Sequence, residues 1–308
     1  MTVLSQSPRD YLDQISFKIR PVFDQPLDVL TSVRVGGKAD YFFELTQIDE
    51  IVQVLRFVSE FQLPFFIMGK GTNLLVPDSG FRGAVIKLGG DFKKMALQQD
   101  RLVSGAGVSD QQLARFAKNH ALGGLEFLKT IPGSVGGAVY MNAGAHGESV
   151  GDRLKEVRTL DLQGNRHNYS IKELDLAYRR SRFSDSPEII LEAEFELTPK
   201  PIDEIQDKEN RLLDIRKKTQ PVGKKTWGSV FKNPANASAG RLIEELGFKG
   251  KSFGGAMISE KHANFIENKN GASFEDLLKA IDEIKQSVFN KYGIELETEG
   301  RILRNLFK

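Results

Sequence analysis

Residues Ile131 to Gly147 read IPGSVGGAVYMNAGAHG, and this stretch limits the fold more than any other. Five glycines (Gly133, Gly136, Gly137, Gly144, Gly147) stand among small residues with one proline and one serine. Glycine brings no side chain to a core and costs about 0.5–1 kcal/mol relative to alanine inside a regular element. What such a run offers is bare backbone that can come close to something else. Exposed N–H groups suit an anion, and a phosphate-bearing ligand is the natural occupant. The alternative is a string of tight turns, although ordinary connections span only about 4–6 residues.

A second glycine loop strengthens this reading. Phe65-Phe66-Ile67-Met68 reads as a short buried strand running into Gly69-Lys70-Gly71-Thr72-Asn73-Leu74-Leu75. Backbone donors, an ammonium and a hydroxyl meet at the end of that strand. The spacing is neither that of a Walker loop nor that of a G-x-G-x-x-G dinucleotide fingerprint. Alone, the loop is equally compatible with a plain turn. Paired with 131–147, it forms one half of a cradle for a single long, phosphate-bearing ligand.

The rest of the chain narrows the class. Its 308 residues allow one very large domain or two to three ordinary ones. With 43 basic against 41 acidic side chains, no net field calls for nucleic acid or a membrane surface. Cysteine is absent, which excludes disulfides, thiolate metal sites and a cysteine nucleophile. No histidine–carboxylate spacing suggests a metal site. The N-terminus lacks the apolar core of a secretory signal, and no run reaches the roughly 20 apolar residues of a membrane span. A soluble, cytoplasmic protein is expected.

Along the chain, 1–30 reads as a peripheral lead-in with a short helix around Arg9–Ile15. Tyr41–Leu45 is strand-like. Thr46, with Asp49 three residues on, offers a cap for an amphipathic helix over 47–61 whose apolar face is Ile48, Ile51, Val52, Leu55 and Val58. Strands follow at Ala84–Leu88 and Leu102–Ser104, with a subdomain boundary near 91. Ser109 and Gln112 form a capping box opening a helix through Leu113, Phe116 and Ala117. Val157–Leu162 and Ile189–Leu197 alternate as strands. Pro199 and Pro201 mark a linker before a charged helix over 203–218. The last third carries a helix from Ala239 to Leu246, a strand-like Ala263–Ile266 and a helix capped by Ser273. A closing strand-like segment covers Ile294–Ile302.

Six segments in order carry a resemblance: TSVRVGGKAD from Thr31, GKGTNLL from Gly69, IPGSVGGAVYMNAGAHG from Ile131, YRRSRF from Tyr178, GSVFKNP from Gly228 and LETEGR from Leu296. Together they resemble the UDP-N-acetylenolpyruvoylglucosamine reductase family (MurB), and its shorter type. The resemblance implies an α+β fold. A two-subdomain FAD-binding unit of the PCMH type, shared with certain flavin oxidases, would cover 1–200 (about 20–90 and 91–200). A smaller substrate-binding α+β domain would cover 201–308. It also implies non-covalent FAD, reduction by NADPH, and reduction of UDP-N-acetylglucosamine-enolpyruvate to UDP-N-acetylmuramate for peptidoglycan. No nucleic-acid or membrane partner is expected, and the chain is expected to be a monomer.

Residue by residue, the resemblance implies that FAD meets Gly69, Lys70, Gly71, Thr72, Asn73 and Leu74 on one side. On the other it meets Ile131, Pro132, Gly133, Ser134, Gly136, Gly137, Ala138, Asn142, Ala143, Gly144 and Ala145. Ser229 is the implied proton donor, its alternative being a turn serine after Gly228. Arg179 would brace the carboxylate and the developing enolate; its alternative is a surface ion pair. Glu299 is the implied active-site glutamate, followed by Gly300 where valine is expected. Tyr178, Lys232, Asn233 and Asn264 are expected around the substrate, and His146 either contacts the flavin or bonds to backbone. The competing readings are an FAD-dependent oxidase on the same scaffold and a non-catalytic nucleotide-binding module. The latter has no use for Ser229, Arg179 and Glu299 together.

Overall fold

The computed structural model describes residues 7–14, 19–98 and 101–303. The lead-in helix is Pro8–Gln14; its expected end at Ile15 lies outside the described residues. The first sheet runs in the order Val22–Pro26, Lys38–Leu45, Phe81–Leu88, Phe65–Ile67. The first pair is antiparallel and the other two are parallel. Parallel neighbours need a crossover, and the helix Ile48–Glu60 provides it. Its cap is shifted by one residue from the expected Thr46 and Asp49: Gln47 is the N-cap and Glu50 closes the box. The longer Glu50 side chain reaches the Gln47 N–H at 3.1 Å and the Thr46 hydroxyl at 3.0 Å. The buried face is correspondingly turned, with Val54 and Phe57 inside while Ile48 and Val52 are only half-buried. Phe65–Ile67 is half-buried rather than buried, because it is the edge strand of the sheet.

The second sheet is antiparallel, in the order Arg166–Ser170, Leu154–Leu160, Ile189–Glu196, Arg101–Gly105, Met95–Gln98. The helix Asp110–Asn119 opens on the Ser109–Gln112 capping box. One continuous apolar core joins both sheets, from Phe43 and Phe57 to Phe127, Val157 and Phe195. It also takes in Leu212 from the helix Ile202–Thr219. That helix is fastened to the same side by Lys118–Glu209 at 3.1 Å and Lys208–Glu126 at 3.2 Å.

A separate core gathers Trp227, Phe231, Ile243, Ile258, Ile266 and the inner face of the helix Phe274–Tyr292. Here a three-stranded antiparallel sheet, Ser252–Phe253, Ala256–Ile258, Ile266–Asn268, packs with that helix and with Ala239–Glu245. Val33, Val35 and Leu75 join this core from the N-terminal part of the chain. The Asn268 amide donates to Val33 O at 3.0 Å and so ties the two parts together.

Three local expectations are corrected. Val135–Tyr140, inside the supposed glycine loop, is a short helix. Ala263–Phe265 is a turn, and the strand begins only at Ile266. The closing segment is strand only at Arg301–Ile302, which pairs in parallel with Leu74–Leu75. Ahead of it, Thr298 makes a single bridge to Phe231. Buried Leu296 between exposed Glu295 and Glu297 gives the alternation of a strand, but the pairing beside it is short, Lys232 N–H to Glu297 O and Glu299 N–H to Val230 O around that one bridge. Among the described residues, no helix is long and apolar enough to cross a membrane.

Candidate active site

The two glycine stretches touch. A Cβ added to Gly69 would stand 2.4 Å from the Ser134 hydroxyl oxygen, so only glycine leaves room for the second stretch to close against the first. Gly69 and Lys70 are exposed at this junction, and so is Gly137. Among the described residues, the N–H groups of Gly69, Lys70, Gly71, Thr72 and Asn73 find no acceptor within the protein. Five consecutive free donors with a lysine ammonium are a cradle for an anion. The loop itself is pinned from behind, since Ser32 N–H donates to Gly71 O at 3.0 Å.

Beyond the short helix, the glycine stretch has a different task. Gly144–Ala145 and Glu148–Ser149 form a hairpin. Its two-residue tip, His146 and Gly147, has φ of 57° and 84°, the sign that a tight hairpin turn demands. His146 is exposed there. The Asn142 amide donates to Ala177 O at 3.1 Å and accepts from Gly151 N–H at 3.0 Å. Ala177 to Arg180 is a tight turn, closed in both directions by Ala177 N–H to Arg180 O and Arg180 N–H to Ala177 O. Within it Arg179 has φ of 57°, an uncommon backbone state for a side-chain-bearing residue.

That turn aims the Arg179 guanidinium in two directions. Its Nε donates to Glu299 Oε1 at 2.7 Å, and its terminal nitrogen donates to Gly144 O at 3.0 Å. Both side chains of the ion pair are largely shielded, at 19% and 16% exposure. Tyr178, by contrast, is exposed and lies 4.8 Å under the Arg179 guanidinium. Its hydroxyl accepts from Asn233 N–H at 3.4 Å.

Glu299 is held by neighbours on both sides. Its N–H donates to Val230 O at 2.8 Å, and its carbonyl accepts from the Asn73 amide at 3.4 Å. Arg301 N–H donates to Asn73 O at 3.0 Å. Asn73 of the first glycine loop therefore locates the terminal glutamate. Ser229 precedes Val230 and is half-buried. Gly228 before it has φ of 88° and passes Thr72 O, so Ser229 sits where the first glycine loop and the Glu299 segment converge. Lys232 pairs with the exposed Glu297 carboxylate at 2.7 Å. The Asn233 amide oxygen accepts from Ala239 N–H, capping the next helix. Asn264, expected among the cleft residues, is 4% exposed. Its amide bonds both Phe231 N–H and Phe231 O, at 2.9 and 2.8 Å, so it fixes the backbone two residues after Ser229.

The residue patterns gave no hint of Asp110. It is fully buried behind the second glycine stretch, with Oδ2 2.3 Å from where a Gly133 Cβ would lie. Neither carboxylate oxygen makes a hydrogen bond of good geometry; the nearest donor, the Gly133 main chain, gives only a weak one. Burial pushes its carboxyl up to about 8, against the opposing pull of Lys70 and of the Gly133 main chain. At neutral pH it is an uncharged acid.

Residues 39–170, which include both glycine stretches, match the FAD binding domain family. Residues 220–303, which include Ser229 and Glu299, match the family described as UDP-N-acetylenolpyruvoylglucosamine reductase, C-terminal domain. The UDP-N-acetylenolpyruvoylglucosamine reductase of Geobacillus thermodenitrificans is 40% identical over 280 residues, 91% of this chain and 92% of that one. The chain belongs to the UDP-N-acetylenolpyruvoylglucosamine reductase family. The Bacillus subtilis reductase is 38% identical, over 91% of this chain and 93% of its own. The crystal structure of the MurB reductase from Thermus caldophilus superposes with a TM-score of 0.80 at 34% identity, covering 93% of this chain and 99% of that one. Like other MurB members, the chain is an FAD- and NADPH-dependent oxidoreductase. Arg179 falls in neither matched interval, yet the fold brings it onto Glu299.

Proposed function

We propose that this chain reduces the enolpyruvyl ether of UDP-N-acetylglucosamine-enolpyruvate to UDP-N-acetylmuramate, a step of peptidoglycan precursor synthesis, with Ser229, Arg179 and Glu299 as its catalytic residues. Family membership supplies the reaction. The observation that carries the site is the Arg179–Glu299 pair, formed across 120 residues of sequence beside the Ser229 segment and the first glycine loop.

FAD fits the residues present. Five unpaired N–H groups and Lys70 suit its pyrophosphate, and the Gly69–Ser134 junction leaves bare backbone on both sides of it. Bound FAD supplies the hydride, drawn from NADPH, that reaches C3 of the enolpyruvyl group. The protein's task is the negative charge that then develops over C2 and the carboxylate, and the proton that C2 needs. Arg179 meets that charge with a guanidinium that does not titrate away, preset by its strained turn. Ser229 gives its hydroxyl proton to C2, and Glu299 fixes the guanidinium while facing the same carboxylate. Hydride plus proton saturate the double bond, leaving the lactyl ether and oxidised nicotinamide, and a proton from solvent restores the Ser229 hydroxyl.

Gly69–Leu74 and Ile131–Ala138 hold the cofactor, whereas Asn142 and Gly144 act on it through the Arg179 turn. Ala143 and Ala145 line the same hairpin. Tyr178, Lys232 and Asn233 face the sugar nucleotide, and Asn264 supports them. We assign the helix Ile202–Thr219 to the FAD-binding unit and begin the substrate domain after it, on the grounds that Leu212 packs in that unit's core and that Glu209 and Lys208 pair with Lys118 and Glu126. The enzyme works as a cytoplasmic monomer with non-covalent FAD and no nucleic-acid or membrane partner.

Ser229→Ala tests the assignment. Flavin reduction by NADPH should persist, while turnover of the enolpyruvyl substrate falls by about 10²–10⁴-fold, the usual worth of a positioned proton donor. Equal loss of both half-reactions would remove Ser229 from that role.

A further inference from the structure

Gly300 follows Glu299, and its backbone does not require glycine: its φ is not among the positive values. Space requires it. A Cβ built there would lie 2.8 Å from both Cε3 and Cζ3 of Trp227, and 3.2 Å from Asn73 Oδ1. Contacts that short oblige the indole to move. Trp227 is the chain's single tryptophan, is 0% exposed, and stands two residues before Ser229. Its Nε1 has no acceptor, so packing alone holds the ring. The ring therefore packs from the segment carrying Ser229 onto the segment carrying Glu299, at Gly300. The same Gly300 position faces Asn73, whose backbone and amide locate Glu299 and Arg301.

We propose that Trp227 and Gly300 are a matched pair that sets the spacing of Ser229 from the Glu299–Arg179 pair, which makes Trp227 a positioning residue for reduction of the enolpyruvyl substrate. This rests on the reductase reading above. The aromatic face fills the volume that a β-branched side chain at 300 would take. A larger residue at 300 displaces the indole and the Ser229 segment attached to it, or pulls Glu299 from Arg179. A tryptophan removed without refilling lets the two segments drift. Flavin reduction by NADPH needs neither Ser229 nor its spacing from Glu299, so the two half-reactions separate the positioning role from general damage.

The test is Gly300→Val in the FAD-loaded full-length enzyme, read in three ways. Turnover of the enolpyruvyl substrate at saturation should fall about 100-fold, as a displacement of about 1 Å does in a positioned site, while flavin reduction by NADPH changes less than about threefold. Acrylamide should quench the single tryptophan more strongly than in the parent, whose indole is shielded. Adding Trp227→Leu to Gly300→Val should recover at least about tenfold of the lost turnover by restoring the combined volume. Gly300→Ala places the same Cβ against the ring and serves where valine prevents folding. The pairing is refuted by unchanged turnover and quenching, by equal loss of both half-reactions, or by a double variant no better than the single. Failure of both Gly300 variants to fold makes the pair purely structural and also refutes the positioning role. If instead the parent enzyme reduces its flavin but never turns over the enolpyruvyl substrate, the reductase reading fails, and quenching alone still judges the contact.

Discussion

Replacing Asp110 by asparagine removes one titrating proton and leaves the shape of the side chain almost unchanged. The parent carboxyl is fully buried with neither oxygen in a hydrogen bond of good geometry, and burial raises it to about 8 from an unfolded value of 3.8. The folded chain therefore keeps a proton that the unfolded chain releases above pH 4. The stabilising contribution is complete below the ordinary carboxylate range and is lost as pH rises toward 8. Each pH unit in that window costs the parent about 1.4 kcal/mol relative to Asp110→Asn, or about 2.7 kcal/mol between pH 5 and pH 7. At about 1.5–2 °C per kcal/mol for a chain of 308 residues, the melting temperatures should diverge by about 4–5 °C over those two units, in favour of the variant at higher pH. Thermal unfolding of the FAD-loaded proteins at pH 5, 6 and 7, followed by circular dichroism, gives the comparison. A difference in melting temperature that stays constant from pH 5 to pH 7 would falsify the idea of a neutral buried acid behind the cofactor loop.

Arg179→Lys should lose about 10²–10³-fold in turnover with flavin reduction retained, because an ammonium cannot serve Glu299 and Gly144 O from one fork; stopped-flow traces of the two half-reactions measure this. Activity within a few-fold of the parent would show that the guanidinium fork is dispensable. Lys118→Ala strands the carboxylate of Glu209, which is 0% exposed, and should cost about 3–5 kcal/mol in denaturant unfolding. The paired change Lys118→Met with Glu209→Leu should recover most of that loss, and no recovery would point to a different origin for the effect.

Local signals survived the passage from sequence to structure. The Ser109–Gln112 box and the Ser273 cap hold as the starts of their helices, since a cap depends on atoms three residues apart; Asp276 completes the second box in the fold. The helix Ile48–Glu60 is present, but its cap slid by one residue because Glu50 outreaches Asp49. The glycine-rich run was legible as a special stretch but not as its separate parts. Gly136 and Gly137 argue against a helix by propensity. Yet Val135–Tyr140 coils because Val135 and Gly136 donate to Val108 O and Ala106 O across a neighbouring strand end. Asp110 carried no signal at all, because burial is a property of the packed chain.

The sequence by itself determined that two glycine-rich stretches, an arginine after Tyr178, a serine after Gly228 and a late glutamate occur in that order, within six ordered segments that mark the family. Only the tertiary structure decided which of them meet. Glu299 reaches Arg179 because Leu74–Leu75 pairs with Arg301–Ile302 and Asn73 grips the backbone on either side of Gly300. It likewise decided that Asn142 and Gly144 support the arginine, and that Gly300 yields its volume to Trp227. The physical reason is range: capping and turn chemistry act over three or four residues, whereas strand pairing and close packing join residues whose separation along the chain leaves no trace in spacing.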